Sequence, residues 1–125
     1  MNATTRSSEF RRAVERLDEA LSLAAGNPLG VDASIQRFEF CVELAWKSLG
    51  DVLLATHGIV VASPKPALQE AFRVGLIDDE ARWLSMLRDR NLSSHTYRQT
   101  LALEIFARLP DYLHVLKGLA QTLAA

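Results

Sequence analysis

From residue 32 to residue 58 apolar side chains return every three or four positions with no proline between them, and this stretch commits the chain to a helical fold. Ile35, Phe38, Val42, Ala45, Leu49 and Val52 form the seam. Alternating steps of three and four keep one side of an α-helix turned to a neighbour, the pattern of antiparallel bundles and coiled coils. Asp32 suits the N-cap of this helix and Gly58 the residue just past its end. Phe40, Leu44, Trp46, Leu53 and Leu54 lie outside the seam. A helix that is apolar over more than one stripe needs two partners. The rest of the bundle supplies one, and a second copy of the chain is the natural candidate for the other. A fully buried central helix in a monomer is the alternative.

The flanking sequence is helical too. Over residues 8–25, Phe10, Val14, Leu17, Leu21 and Ala24 share one face. Arg11, Arg12, Glu15, Arg16, Asp18 and Glu19 form a solvated one. Gly26, Asn27, Pro28, Leu29 and Gly30 predict a turn. Residues 57–65 read as a connector; Ile59, Val60 and Val61 could run extended, but one strand makes no sheet. Ser63 and Pro64 then suit the N-cap and first position of a short helix over residues 65–74, with Leu68, Ala71 and Phe72 inward and Gly75 closing it. Asp78, Asp79 and Glu80 suit the positive end of the next helix, in which Trp83, Met86 and Leu87 share a side. Trp83 and Trp46 read as core. From residue 97 onward Leu101, Ile105 and Leu109 recur one turn apart, and the pattern resumes at Leu113, Leu116, Leu119 and Leu123. Pro110 between them predicts a kinked helix or two stacked ones. The expected fold is all-α, an up-and-down four-helix bundle with an extra short helix, in a single domain over residues 1–125.

Net charge is -1, so no general basic field draws in nucleic acid. Any RNA contact must be local. Between residues 82 and 98 it can be: Arg82, Arg88, Arg90 and Arg98 stand against only Asp89. The single cysteine, Cys41, excludes an internal disulfide, fits a reducing compartment and reads as inert packing. No apolar run approaches about 18 residues, and the first residues lack a signal peptide's apolar stretch. A cytoplasmic protein without membrane contact is the expectation. His57, His95 and His114 lie far apart, and H-E-x-x-H, C-x-x-C and Gly-rich phosphate loops are absent, so no metal and no cofactor are expected.

One segment gathers chemistry: R-N-L-S-S-H-T-Y, residues 90–97. On an unbroken helix the five steps from Arg90 to His95 turn about 500°, leaving the two side chains roughly 140° apart. Either the helix breaks between them or each works with groups from elsewhere. A break is favoured: Asn91 tolerates the left-handed conformation that ends helices, Ser93, Ser94 and Thr96 are good N-caps, and Thr96 with Gln99 has capping-box spacing. Arg90 then ends one helix, and His95 and Tyr97 begin the next. An imidazole moves protons near neutral pH and a guanidinium holds phosphate oxygens. Metal-free RNA cleavage needs little more: a base for the 2′-OH, an acid for the departing 5′-oxygen, and a cation for the charge on phosphorus. By spacing alone, an Arg tied to a carboxylate and a His capping a helix explain the pair as well. Glu39, Glu43 and Lys47 follow one another at turn spacing beside Trp46; they suit helix-surface electrostatics or the polar lining of a partner or dimer groove.

A longer pattern adds to this. F-E-F at 38–40, E-L-A-W-K-S-L at 43–49, S-P at 63–64, A-F-x-x-G-L-I at 71–77, Trp83, and D-R-N-L-S-S-H-T-Y at 89–97 resemble the nucleotidyltransferase substrate-binding protein family. That family belongs to the HEPN superfamily of small helical domains and includes HepT-like toxins. The resemblance implies a homodimeric helical bundle and a minimal nucleotidyltransferase antitoxin encoded nearby. It implies that Arg90 and His95 are the catalytic pair of a metal-independent endoribonuclease, formed where two copies meet, with Asn91 and Ser94 as supporting polar groups. It also implies that Tyr97 is the tyrosine the partner modifies with AMP to silence the toxin. A non-catalytic subunit that binds a nucleotide or substrate for the partner is the competing expectation.

Overall fold

The computed structural model describes residues 3–24, with side chains from residue 5, and residues 27–124. They form five α-helices and no strand: α1 Ala3–Leu23, α2 Pro28–His57, α3 Pro64–Arg73, α4 Glu80–Leu92 and α5 Gln99–Ala124. A single 3-10 turn, Ser93–His95, follows α4. The result is the up-and-down bundle with a short extra helix.

The seam read from the sequence is the axis of the molecule. Ile35, Phe38, Val42, Ala45 and Leu49 are all buried, and α2 packs against each of the other four helices. Phe10, Val14 and Leu17 of α1 close one side, and Ile105, Leu109, Leu113 and Leu116 of α5 close another. Val52 and Leu44 are half-buried, while Phe40 and Leu54 reach solvent at 49% and 56% exposure. The second stripe of α2 is therefore only partly covered by this chain.

The helix ends show where local chemistry set the boundaries. α2 begins four residues before the expected Asp32. Asn27 accepts the Leu29 backbone N–H at 3.0 Å and Pro28 takes the first helical position, so the proline starts the helix instead of prolonging a turn. Gly30 is consequently helical, and it lies so close to α1 that a Cβ there would stand 2.7 Å from Ala24 Cα. The remainder of the expected turn, Gly26, and the expected helix end at Ala25 lie outside the described residues. At the other end Gly58 adopts φ 65°, and the N–H groups of Gly58 and Ile59 cap Leu54 and Leu53 as anticipated.

Other expectations fail. Phe72 does not face inward: it is 43% exposed, and Ala67 joins Leu68 and Ala71 in the buried stripe of α3. Pro110 lies inside one α5, so of the two forms expected there the pair of stacked helices does not occur. Leu109 and Leu113 on either side are buried in one register, and that packing outweighs the one hydrogen bond a proline removes. The α-helix ends between Arg90 and His95 as expected, with Arg90 in its last turn, but through neither a left-handed Asn91 nor a new helix that begins at His95. α4 runs on to Leu92 and tightens into the 3-10 turn, and no described non-glycine residue has a positive φ. Nor does Thr96 start a capping box with Gln99. Its hydroxyl donates back to the Ser93 carbonyl at 3.0 Å, and α5 begins only at Gln99, so Tyr97 stays in the turn.

Candidate functional site

The site is the junction between α4 and α5, with one contribution from α2. Arg90 stands in the last turn of α4, two thirds covered, with its Nε 3.0 Å from Glu43 Oε1. The contact is an ion pair and not a directed hydrogen bond, since the Nε–H finds no acceptor in line. Glu43 also meets Lys47, one turn along α2, at 4.0 Å, and the Lys47 ammonium lies 5.9 Å from the centre of the Trp46 ring. Glu43 and Lys47, expected in a groove, are thus joined to Arg90 within the chain. Glu39 is half-buried. Trp46 is half-buried too; its indole N–H is enclosed and meets no acceptor among the described residues.

His95 and Tyr97 make the second group. Both are exposed, Tyr97 at 80%, and the phenol oxygen lies 3.3 Å from His95 Nδ1 with the rings edge to face. Asn91 and Ser94 are exposed beside them, the Ser94 hydroxyl donating to the Asn91 carbonyl at 3.4 Å. Two α-helical steps and three 3-10 steps separate Arg90 from His95, a rotation of about 560° that sets the side chains on roughly opposite sides of the axis. The chain assembles Arg90 with Glu43 and His95 with Tyr97, each pair separately.

The sequence reading missed what holds this junction. Asp89 is fully buried. Its carboxylate accepts from Arg108 Nε at 2.7 Å, Arg108 Nη2 at 2.9 Å and the Tyr112 hydroxyl at 2.6 Å. Tyr112 OH also lies 2.7 Å from Ser85 Oγ, and its ring stacks on Phe38 of α2 at 5.4 Å. Burial, and then the bond to Asp89, push the Tyr112 phenol above its ordinary range; the Asp89 bond likewise raises the Arg108 guanidinium. A signal was available. Asp89 continues the three-residue spacing of Trp83 and Met86, so an ionised group occupies a core position, and Arg108 and Tyr112 share a face of α5 one turn apart. Cys41 is buried, and burial pushes its thiol up to about 12, which leaves it inert as expected.

A cation two thirds covered, an exposed imidazole–phenol pair and an all-helical bundle clamped behind them define a small helical protein with a polar turn presented at one end. The chain belongs to the nucleotidyltransferase substrate binding protein like family, whose model matches residues 5–125. It is 37% identical over 87 residues to a Haemophilus influenzae protein named "Probable ribonuclease HepT", an alignment covering 66% of this chain and 60% of that relative. A crystal structure from Thermus thermophilus superposes with a TM-score of 0.87 at 38% identity, over 93% of this chain and 99% of that one. A Haemophilus influenzae structure, described as revealing the fold of a substrate binding domain of a nucleotidyltransferase, superposes at 0.85 and 27% identity, over 95% and 99%. Among the described residues no helix is long and apolar enough to cross a membrane.

Proposed function

We propose that the whole chain is one HEPN-like domain acting as a cytoplasmic toxin, a metal-independent endoribonuclease whose site forms between two copies. The observation that carries this reading is the exposed His95–Tyr97 pair on the turn that directly follows Arg90. Because Arg90 and His95 face different ways on one chain, a second copy is the means of bringing a guanidinium and an imidazole to one phosphodiester. The partly uncovered stripe of α2 at Phe40 is a surface for that copy. One imidazole takes the 2′-OH proton as the oxygen attacks phosphorus. The 5′-oxygen leaves with a proton from the imidazolium of the other copy, giving a cyclic phosphate and a free 5′-hydroxyl. Arg90 offsets the charge that gathers on the phosphorane, with Asn91 and Ser94 as neighbouring polar groups.

Tyr97 supports the second half of the reading. A phenol this exposed can attack the α-phosphate of ATP held by a partner nucleotidyltransferase, releasing pyrophosphate. The attached AMP would stand two residues from His95, block RNA and oppose Arg90's charge. The description of the solved Haemophilus relative favours a second reading, a non-catalytic subunit that binds a nucleotide or substrate for the partner.

Arg90→Ala and His95→Ala are expected to abolish both growth inhibition and cleavage of RNA by the purified protein in EDTA, with the helical signal and oligomeric state intact. Cleavage at the parental rate by the double variant overturns the nuclease reading. Saturable nucleotide binding without any cleavage by the parent supports the second one.

A further inference from the structure

Beside Tyr97 lies a cleft of about 520 Å³, between the start of α2 and the start of α5. We propose that it receives a purine nucleobase whose phosphate lies at the His95–Tyr97 turn. The inference deepens the reading above and rests on it for the phosphate end only.

The size falls within the range of about 300–1,000 Å³ typical of small-ligand pockets. Its floor is apolar: Val31 on α2 faces Ala102, Leu103 and Phe106 on α5. Leu103 keeps 48% of its surface exposed although it lies over this floor, so a flat ring would cover apolar area that the chain itself leaves wet. The rim carries complementary hydrogen-bonding groups. Asp32 is exposed and pairs with no cation among the described residues, leaving a carboxylate to accept from a base's amino group. Asn27 uses its carbonyl oxygen on the Leu29 N–H, so its NH2 remains to donate to a ring nitrogen. Gln99 stands exposed on the opposite rim and offers both. An acidic rim suits a base and repels a phosphate, and Tyr97 fixes which end the phosphate takes. Tyr97 lines the cleft, and its hydroxyl is the atom 3.3 Å from His95 Nδ1. A base in the cleft thus leads its ribose and phosphate out past Tyr97.

A free mononucleotide and one residue of an RNA strand present this same chemistry. The test is titration of the 15N-labelled full chain with AMP, GMP, UMP and ribose 5-phosphate, following backbone amides. AMP and GMP are expected to move Asn27, Asp32, Gln99 and Leu103, UMP less, and ribose 5-phosphate not at all. Asp32→Ala and Leu103→Trp change exposed positions and are expected to weaken purine binding about tenfold or more, since a polar partner or the ring's space is lost. An oligoadenylate made with 2′-deoxy residues and competing for the same amides assigns the cleft to the strand; AMP binding without that competition assigns it to the free nucleotide. The inference is overturned if ribose 5-phosphate moves the same amides as AMP, or if both variants bind AMP within twofold of the parent. Those outcomes leave the nuclease reading standing if RNA is still cleaved, whereas purine binding here without cleavage removes that reading alone.

Discussion

Asp89 and Arg90 are neighbours in sequence with opposite relations to the fold. Asp89 is wholly enclosed and accepts three hydrogen bonds, whereas Arg90 and Glu43 remain about one third exposed. Removing a buried carboxylate strands its donors, and Asp89→Ala is expected to cost roughly 2–4 kcal/mol in urea unfolding. It is less than a sealed ion pair because Arg108 can turn to water. A partly exposed pair adds little, so Arg90→Ala is expected to cost about 1 kcal/mol or less. A large loss on Arg90→Ala, equal to that at Asp89, returns Arg90 to a purely structural role. Cys41 and Tyr112 set the alkaline limit. Their folded values lie above the ordinary ones, 9.0 and 10.0, so the unfolded chain releases these protons first. Stability from them is complete below pH 9 and falls as the pH rises, for Cys41 until about 12. One such proton gives a slope of about 1.4 kcal/mol per pH unit, and Cys41→Ala is expected to flatten the fall between pH 9 and 10. An unchanged slope argues against a thiol held protonated by burial.

Two helical glycines separate propensity from packing at the scale of the element. Gly118 in α5 has nothing within 4 Å of a Cβ position, so Gly118→Ala is expected to stabilise the chain by about 0.5–1 kcal/mol through helix propensity alone. Gly30 in the first turn of α2 meets backbone at 2.7 Å, and Gly30→Ala is expected to destabilise by about 1–3 kcal/mol, since α1 must shift. Thermal unfolding of the two variants checks the opposite signs. Asn27→Ala removes the α2 cap and is expected to cost about 1 kcal/mol. The same competition between local rule and packing explains what was legible. Gly58 ends α2 as its residue type implies, but Pro110 fails to end α5 because buried leucines on both sides hold the register.

Across the whole molecule, the junction works as a graft on a rigid frame. α2 touches every other helix, and the Asp89–Arg108–Tyr112 clamp locks α4 onto α5 just behind the exposed turn. A rigid frame fixes where the turn points without supplying its chemistry, so function depends on what meets it. If two copies complete the site with one imidazole each, a dimer of one parent chain and one His95→Ala chain is expected to cleave RNA far more slowly than the parent dimer, so that titrating in the variant lowers activity more steeply than dilution does. Sedimentation of the parent is expected to show a dimer; an active monomer at assay concentration excludes the shared site.

The sequence by itself determined the helical class, the α2 seam, the Gly58 ending and the residues of the polar turn. Each of these follows from periodicity or from backbone preferences that act within a few residues. Only the tertiary structure decided that Glu43 holds Arg90, that His95 pairs with Tyr97 across a continuous turn, and that Asp89 is the buried clamp. Those contacts join residues 19 to 47 positions apart or depend on how far a helix runs before it is stopped. A carboxylate at a core position is unfavourable until a distant guanidinium and phenol arrive to satisfy it, and which distant groups arrive is set by how the helices pack.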